Sequence, residues 1–343
     1  MERKEGSLDD MLSVLRKFTR AGDAPAKAEA STNIVADRTP PASTSLPVSK
    51  ADAGNVDLAR QLLQAINTYT GFRSTPSLER KLALVLRNVS ASDVANLIKG
   101  AKDGRNYQDL TAIVEDLTNH ETFFFRDTMQ LDPLTDEFFP KLIRQRAKDD
   151  KRLRIWSAAC ATGEEAYTLT ILALNALCAA GYASFHQSDG FRLQDGWKLE
   201  VLGTDISRQA IRVARAGCYQ ASSFGAFRQM PGGWQRYFVA MDSGPGRYGN
   251  EAKYMSVLPS ISQHVRFDTF NLISSNPPLT ECDVVLCRNV LIYIDHDRHK
   301  TIHEMISRSM RTGGVLVPSL VDQVDAPRLT PRWINRCAFY EKK

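Results

Sequence analysis

Between Leu153 and Asp205 the chain combines residue types that suit the binding of a nucleotide-like ligand. The sequence predicts a short apolar strand, the turn CATGEE at 160–165, a long apolar helix and a second strand that ends in Asp205. In nucleotide-type α/β folds a small-residue turn lets the ligand approach the backbone and the helix N-terminus, while the acid accepts hydrogen bonds from ribose hydroxyls. We therefore expect an adenosyl cofactor.

The composition of the turn argues against a dinucleotide. Its one glycine, Gly163, is followed at once by Glu164 and Glu165. A pyrophosphate needs bare glycine amides and a positive helix end, so two carboxylates would repel it. They suit a cationic ligand such as S-adenosylmethionine (SAM), whose sulfonium and ammonium groups are positive. Because acids are favoured in the first turn of any helix, the turn alone leaves both interpretations open.

Length and composition indicate two domains and a tail. The chain has 343 residues, of which 43% are hydrophobic and 24% charged, as in ordinary globular proteins. The sequence of residues 1–53 predicts one short helix followed by a tether rich in Ala, Ser, Thr and Pro. Residues 54–119 carry apolar residues at helical spacing throughout, which predicts a small all-helical N-terminal domain.

Residues 120–343 alternate between predicted strands and helices. We expect strands near 153–158, 199–204, 264–268, 282–287, 314–319 and 336–341, and helices near 164–180, 207–216 and 297–311. Near-continuous apolar strands such as DVVLC at 283–287 are typical of a parallel sheet covered on both faces. The prediction is an α/β fold with a doubly wound, mostly parallel sheet, in which 181–197 form a loop insertion and 218–258 an inserted subdomain.

Several classes of protein are disfavoured. No apolar run approaches the roughly 18 residues that span a bilayer, and the first residues lack a signal-peptide core, so we expect a cytoplasmic protein without membrane insertion. The six cysteines contain no C-x-x-C pair, which predicts reduced thiols with neither disulfide nor zinc. His299 and His303 are four apart on a predicted exposed helix without converging further ligands, so we expect no metal site.

The net charge of +5 is concentrated in one segment. Residues 141–154 carry seven Lys and Arg against two Asp, without interleaved aromatic residues. This pattern favours a solvated connector over a nucleic-acid surface. In the helical domain, Arg80 and Arg87 present either a basic stripe to an acidic partner or a solvated helix face.

Three further motifs carry polar residues at places where an α/β sheet binds its ligand. They are HETFFFRD at 120–127, Asn271-Leu272 after the third predicted strand, and CRNVLIYID at 287–295 after the fourth. Ligands of open α/β sheets bind beyond the carboxyl ends of the strands. Arg288 and Tyr293 have plainer interpretations as a surface charge and a core aromatic residue.

Together with WSAACATGEEAYT at 156–168 and Thr204-Asp205-Ile206, these motifs resemble the CheR family, SAM-dependent methyltransferases that esterify glutamates on bacterial chemotaxis receptors. The resemblance covers roughly residues 55–320. It implies a helical N-terminal domain with a basic helix facing the receptor, a SAM-binding sheet domain at 120–343, and a small antiparallel β-subdomain at 219–262 that can dock a receptor C-terminal peptide. The implied partners are chemoreceptor cytoplasmic helices, and the implied product is S-adenosyl-L-homocysteine.

The resemblance also implies the cofactor contacts. His120 stands where many members carry asparagine, Thr122 and Arg126 would line the methyl-transfer end, and Glu165 would contact the methionine portion. The remaining implied contacts are Asp205 for the ribose, Asn271 and Leu272 for the adenine side, and Arg288 with Asn289 for the floor of the pocket.

The implied catalytic residues are Arg126 and Tyr293. A glutamate carboxylate with a pKa of about 4.3 is ionised at neutral pH, so the acceptor needs no general base and the main task is positioning. Arg126 would orient and partly desolvate that carboxylate, with Tyr293 near the reacting methyl as its hydrogen-bonding companion.

One departure from the family pattern concerns substrate choice. Many relatives continue into a Gly-His-Ser-Glu turn where this chain reads PSLV at 318–321. The alternatives are therefore a SAM-dependent methyltransferase with a different acceptor, or a non-catalytic SAM-binding scaffold. The retained Arg126 and Tyr293 count against the scaffold.

Overall fold

The computed structural model describes residues 50–343 except 88, 103–106, 118–120, 223 and 246–250. The predicted N-terminal helix and tether, as well as His120, lie outside these residues. By spatial proximity the chain divides into two units, residues 1–119 and residues 120–343. Within the described residues, no helix is both long and apolar enough to cross a membrane.

The described part of the first unit is helical. Its helices are α1 (Lys50–Thr70), α2 (Pro76–Leu86), α3 (Ala91–Lys102) and α4 (Tyr107–Leu117). Buried side chains recur three and four residues apart, as expected of helices that share one core. They include Leu62, Leu63, Ile66, Leu82, Val85, Leu86, Val94, Leu97, Leu110, Ile113 and Val114.

The second unit alternates strands with helices. Its strands are β1 (Arg152–Ala158), β2 (Ala183–His186), β3 (Gly190–Leu193), β4 (Lys198–Asp205), β5 (Cys218–Gln220), β6 (Phe238–Pro245), β7 (Glu251–Val257), β8 (Val265–Thr269), β9 (Cys282–Cys287), β10 (Met310–Pro318), β11 (Leu329–Ile334) and β12 (Cys337–Lys342). Its helices are α5 (Thr128–Pro133), α6 (Phe139–Ala147), α7 (Glu164–Ala179), α8 (Arg208–Ala216), α9 (Pro259–Ser262) and α10 (His296–Ser309). A π-helical turn (Leu134–Phe138) joins α5 to α6, and 3-10 turns lie at Trp234–Tyr237 and Leu291–Tyr293.

A seven-stranded sheet in the order β11-β12-β10-β9-β1-β4-β8 organises this unit. Neighbouring strands from β10 to β8 pair in parallel, whereas β12 and β11 add an antiparallel edge. The predicted mostly parallel sheet is confirmed.

Alternate residues of the central strands pack into two different cores. Successive side chains of a strand point to opposite faces of its sheet. One row across three strands lies in the core that contains α6 and α7, and the adjacent row lies in the core that contains α10. The rows are Ile155, Val284 and Val315, and Trp156, Val285 and Leu316. The sheet is therefore covered on both faces, as a doubly wound fold requires.

Two segments differ from the expectation. Residues 181–197, predicted as a loop insertion, contain the antiparallel hairpin β2–β3. Its strands have four residues each, too few to show a clear alternation. The edge strand β11 was not expected either, because it contains Pro331 and is mostly solvent-facing.

The inserted subdomain lies between α8 and β8. It consists of a three-stranded antiparallel sheet in the order β5-β7-β6, followed by the short helix α9. A small antiparallel sheet was the predicted architecture, and it is confirmed.

Candidate functional site

The candidate site lies at the carboxyl edge of the parallel strands. The segments that leave β1, β4, β8, β9 and β10 all begin at this edge because the strands are parallel. The turn at 159–163, Asp205, Asn271, Arg288 and Ser319 therefore gather from distant parts of the sequence. This is the position at which open α/β sheets bind ligands.

The turn after β1 has an unusual backbone. Ala159, Ala161 and Gly163 all have positive φ, at 68°, 46° and 98°. At Gly163 an added Cβ would lie 2.8 Å from the Cβ of Ala214, so conformation and close packing both require glycine there. Left-handed backbone at non-glycine residues is costly and concentrates at functional sites.

Asp205 holds this turn from the end of β4. The carboxylate is buried and accepts hydrogen bonds from the backbone N–H groups of Ala161 and Ser207, both at 2.9 Å. Each carboxylate oxygen can accept more than one bond, so the same group can accept ribose hydroxyls. The structure thus places Asp205 beside the turn, and its contact with the ribose stays a prediction.

A buried ion pair links β1, α7 and β9. Glu165 accepts hydrogen bonds from the Ser157 hydroxyl at 2.6 Å and from Arg288 Nε at 2.8 Å. The Arg288 side chain is 2% exposed and that of Glu165 is 13% exposed. Arg288 is therefore a core residue of the site and not the surface charge of the plainer interpretation.

The other end of the Arg288 guanidinium reaches the segment that contains Arg126. Arg288 Nη1 donates to the carbonyl oxygen of Arg126 at 3.1 Å and to Gln130 Oε1 at 3.2 Å, and lies 3.5 Å from Asp127 Oδ2. Gln130 in turn donates from Nε2 to the carbonyl oxygen of Pro318 at 2.7 Å. The buried Arg288 thus connects the HETFFFRD motif at 120–127 with the acidic turn at 160–165.

Sequence reasoning missed Ser157 and Gln130. A signal for Ser157 exists, because it is a polar residue within the apolar second half of β1, at 155–158. Gln130 carries no such signal, since its burial at 1% exposure depends on Arg288 and Pro318, which lie far away in sequence.

Arg126 is half-buried and held by its own segment. Its Nη1 donates to the carbonyl oxygen of Glu121 at 2.7 Å, and its guanidinium carbon lies 5.7 Å from the ring centre of Phe123. The flanking residues Phe125 and Asp127 both have positive φ, at 57° and 60°. The backbone on either side of Arg126 is therefore in a costly conformation, again as at functional sites.

The 3-10 turn after β9 carries Tyr293. Asn289 precedes it with φ at 56° and donates from its backbone N–H to the Ser319 hydroxyl at 2.7 Å. Tyr293 is half-buried, and its N–H bonds the carbonyl oxygen of Val290 at 3.0 Å. A direct role for Tyr293 in methyl transfer stays a prediction.

The segment after β8 provides Asn271 and Leu272. Asn271 Oδ1 accepts from the N–H of Ile273 at 3.2 Å, which fixes the turn. Leu272 is buried among apolar side chains that include Trp156 and Ala158. Thr122 is half-buried in the segment before Arg126.

Burial perturbs two ionisable groups in the turn. It raises the pKa of Glu164 to about 7, although the hydroxyl of Thr162 donates to this carboxyl at 2.7 Å. Burial, together with Asp205, Glu165 and Glu164, raises the pKa of the Cys160 thiol well above its usual range. A thiol is nucleophilic only as the thiolate, so Cys160 is an inert packing residue.

The three histidines of α10 do not share one environment. His303 was expected on an exposed helix, but it is 2% exposed and its Nδ1 accepts from the N–H of Asp325 at 3.2 Å. His299 Nε2 lies 3.1 Å from the carbonyl oxygens of Leu291 and Ile294. Across the described ranges, no cluster of three or more His, Cys, Asp or Glu side chains could hold a metal ion.

These residues suit the chemistry of SAM. The first turn of α7 is acidic, which complements a cation, and Asp205 at the end of the neighbouring β4 could accept hydrogen bonds from ribose hydroxyls. The fold and the site together define the class of SAM-dependent methyltransferases.

Comparison with known proteins identifies the family. A family model described as CheR methyltransferase, SAM binding domain, matches residues 120–325. Chemotaxis protein methyltransferase 1 of Pseudomonas aeruginosa is 35% identical over 204 residues, which cover 60% of this chain and 66% of that protein. A Chemotaxis protein methyltransferase of Vibrio parahaemolyticus is 26% identical over 282 residues, covering 80% of this chain and 93% of that protein. The chain belongs to the CheR methyltransferase family, and SAM is its cofactor.

A solved structure of a TehB-like SAM-dependent methyltransferase from Corynebacterium glutamicum covers 63% of this chain and 96% of its own, with 13% identity and a TM-score of 0.31. That likeness is too distant to carry an argument.

Proposed function

We propose that this chain transfers the methyl group of SAM to glutamate side-chain carboxylates of a chemoreceptor and forms glutamate methyl esters. The observation that carries the proposal is the link between Arg126 and the cofactor turn. Arg288 bonds both the Arg126 carbonyl oxygen and Glu165, so a half-buried cation lies next to the cofactor site. A cation in that position fits an anionic acceptor.

The chemistry requires positioning more than proton transfer. Bound SAM supplies an electrophilic methyl group. The acceptor carboxylate is already ionised at neutral pH, so the protein needs to align it, roughly 3 Å from that carbon, and to exclude water. Arg126 would hold the carboxylate by a charge-assisted hydrogen bond, and the hydroxyl of Tyr293 would donate a second hydrogen bond to the same anion. Asp205 and Glu165 would hold the ribose and the methionine portion.

The partner assignments belong to the same proposal. The relatives named chemotaxis protein methyltransferase support a role in chemotaxis, and chemoreceptor cytoplasmic helices as the acceptor are part of this proposal. Docking of a receptor C-terminal peptide on the inserted subdomain and a cytoplasmic location stay predictions.

A second candidate is a methyltransferase with a different acceptor. The loop after β10 favours it, because Leu320 and Val321 are 55% and 79% exposed next to Ser319, which bonds Asn289. An apolar loop beside the site would favour an acceptor with apolar neighbours.

The test is transfer of tritiated methyl from SAM to purified chemoreceptor cytoplasmic fragments, scored as methanol released by alkali. We expect base-labile counts that fall at least about tenfold in Arg126→Ala and in Tyr293→Phe, because each removes a contact to the acceptor. Arg212→Ala changes an exposed arginine of α8 and serves as the control.

The other outcomes separate the alternatives. A base-stable product would refute methyl esterification of a carboxylate and support the second candidate, a methyltransferase with a different acceptor. SAM binding by calorimetry without transfer would indicate a scaffold.

A further inference from the structure

The inserted subdomain holds the segment that precedes Arg126 by a backbone hydrogen bond and by aromatic packing. The N–H of Phe124 donates to the carbonyl oxygen of Ala226 at 2.9 Å. The Phe124 ring is fully buried and packs edge-on against Tyr219 and Phe238, at centroid distances of 5.1 and 5.0 Å, and stacks on Phe227 at 5.3 Å. The backbone at 124 is therefore fixed by the subdomain.

Arg228 extends these contacts to two of the residues that lie against the Arg126 side chain. Its Nη2 lies 2.7 Å from Glu121 Oε1, and its guanidinium carbon lies 3.8 Å from the ring centre of Phe123. Glu121 is the residue whose carbonyl oxygen accepts from Arg126, and Phe123 is the ring beside the Arg126 guanidinium. The Glu121 and Phe123 contacts of Arg126 thus rest on residues that Arg228 holds, whereas its third contact, 3.8 Å from Nε to Asp127 Oδ2, does not.

We propose that Arg228 is a positioning residue for Arg126, through which the inserted subdomain sets the geometry of methyl transfer. The inference rests on the proposed function, in which Arg126 orients the acceptor carboxylate. Arginine suits this task because its planar guanidinium can stack on an aromatic ring and pair with a carboxylate at once. The Arg228 side chain is 25% exposed and that of Glu121 is 56% exposed, so water screens the ion pair, and the stacking on the buried Phe123 is the better protected contact.

Misalignment of about 1 Å lowers transfer rates by up to about a hundredfold, so a loosened Arg126 should cost turnover. We expect Arg228→Met to lower kcat about tenfold, whereas the dissociation constant for SAM should change less, because Arg228 influences the cofactor turn through its charge, which acts to lower the pKa of Glu164. Arg228→Lys keeps the charge but loses the planar guanidinium that stacks on Phe123. Its kcat should therefore fall less than that of Arg228→Met.

Arg236→Met is the matched control. Arg236 also belongs to the inserted subdomain and stacks on aromatic rings, with its guanidinium carbon 4.8 Å from the ring centre of Tyr237 and 5.7 Å from that of Phe185. It makes these contacts away from Glu121 and Phe123. We expect less than about a twofold change in kcat.

A double-mutant cycle separates positioning from general stability. In the Arg126→Lys background the hydrogen bond from Arg126 Nη1 to the Glu121 carbonyl oxygen is already lost. Adding Arg228→Met should therefore lower kcat by no more than about twofold. A full tenfold loss in that background, or an equal loss from Arg236→Met, would overturn the inference. Melting temperatures of all variants show whether each one is folded.

A second readout does not depend on turnover. The Nε–Hε group of Arg126 can be followed by nuclear magnetic resonance relaxation in arginine-labelled protein, and its order parameter should fall in Arg228→Met but not in Arg236→Met. If the unmodified protein transfers no methyl group, the proposed function fails and this measurement alone decides on Arg228. An unchanged order parameter would refute positioning even in an active enzyme.

Discussion

At the scale of single residues, the pair formed by Arg288 and Glu165 dominates the electrostatics of the site. Removing one partner of a buried pair leaves the other charge buried without compensation. For Arg288→Met we expect a loss of about 3–5 kcal/mol in the free energy of unfolding, measured by urea titration. Glu165→Gln, added to Arg288→Met, should restore part of the loss because the stranded charge is then gone.

The control for this prediction is an exposed arginine. Arg332 pairs with Glu137 and Glu341 on the surface, and its side chain is 43% exposed. Arg332→Met should cost less than about 1 kcal/mol, since solvent screens such pairs. Equal losses from Arg288→Met and Arg332→Met would contradict the assignment of Arg288 to the core of the site.

A second prediction at this scale concerns pH. Burial, with the neighbouring His299, lowers the pKa of His303 to about 4, although Asp322 and Asp325 act in the opposite direction. A histidine whose folded pKa is depressed contributes stability above its unfolded pKa of about 6.5, and that stability is lost as the pH falls towards 4. Unfolding free energy should therefore drop by about 2–3 kcal/mol across this window.

His303→Gln removes the titrating group, so the pH dependence between 6.5 and 4 should flatten by that amount. His186→Gln, at an exposed position of β2, provides the comparison. If both substitutions leave the same slope in urea titrations at several pH values, His303 does not control the acid sensitivity.

At the scale of elements, the turn between β1 and α7 decides whether the cofactor can approach. Gly163→Ala would force a Cβ to 2.8 Å from that of Ala214 and strain a φ of 98°. The turn would then shift, together with the Ala161 amide that Asp205 holds. We expect SAM affinity, measured by calorimetry, to fall at least about tenfold, in line with 1–3 kcal/mol for strain at such a position.

Gly181→Ala isolates the contribution of the clash. Gly181 also has a positive φ, at 78°, but an added Cβ meets nothing within 4 Å. This variant should lose stability through backbone strain alone and keep its SAM affinity. A similar fall in affinity from both variants would mean that the close packing at Gly163 is not what shapes the turn.

The elements that the sequence predicted are those whose pattern is local. Several parallel strands have apolar runs, such as β9, in which every residue is buried. The polar residues of the motifs follow directly after these runs, so the ends of these strands can be predicted from the sequence. The hairpin β2–β3 and the edge strand β11 lack such runs, because pairing with a neighbour and not burial defines them. The hydrogen bond that Arg288 donates to Gln130 joins residues 158 positions apart, which no local pattern encodes.

At the scale of the whole molecule, the site belongs to one of the two units. The contacts that define it, from the Arg126 carbonyl oxygen to the Arg288–Glu165 pair and the Asp205 turn, lie within residues 120–343. The two cores that cover the sheet also lie within this unit. A unit with its own core and a complete ligand site is expected to fold alone.

We therefore expect a chain of residues 120–343 to unfold cooperatively and to bind SAM with a dissociation constant within about threefold of the full chain. Calorimetry with SAM and thermal unfolding monitored by circular dichroism test both parts of the expectation. Glu165→Gln in the shortened chain is the negative control, because it removes the charge that pairs with Arg288 and that we propose contacts the methionine portion of SAM. A cooperative fold that binds no SAM would show that residues before 120 are required for the site, and would contradict its assignment to the sheet unit.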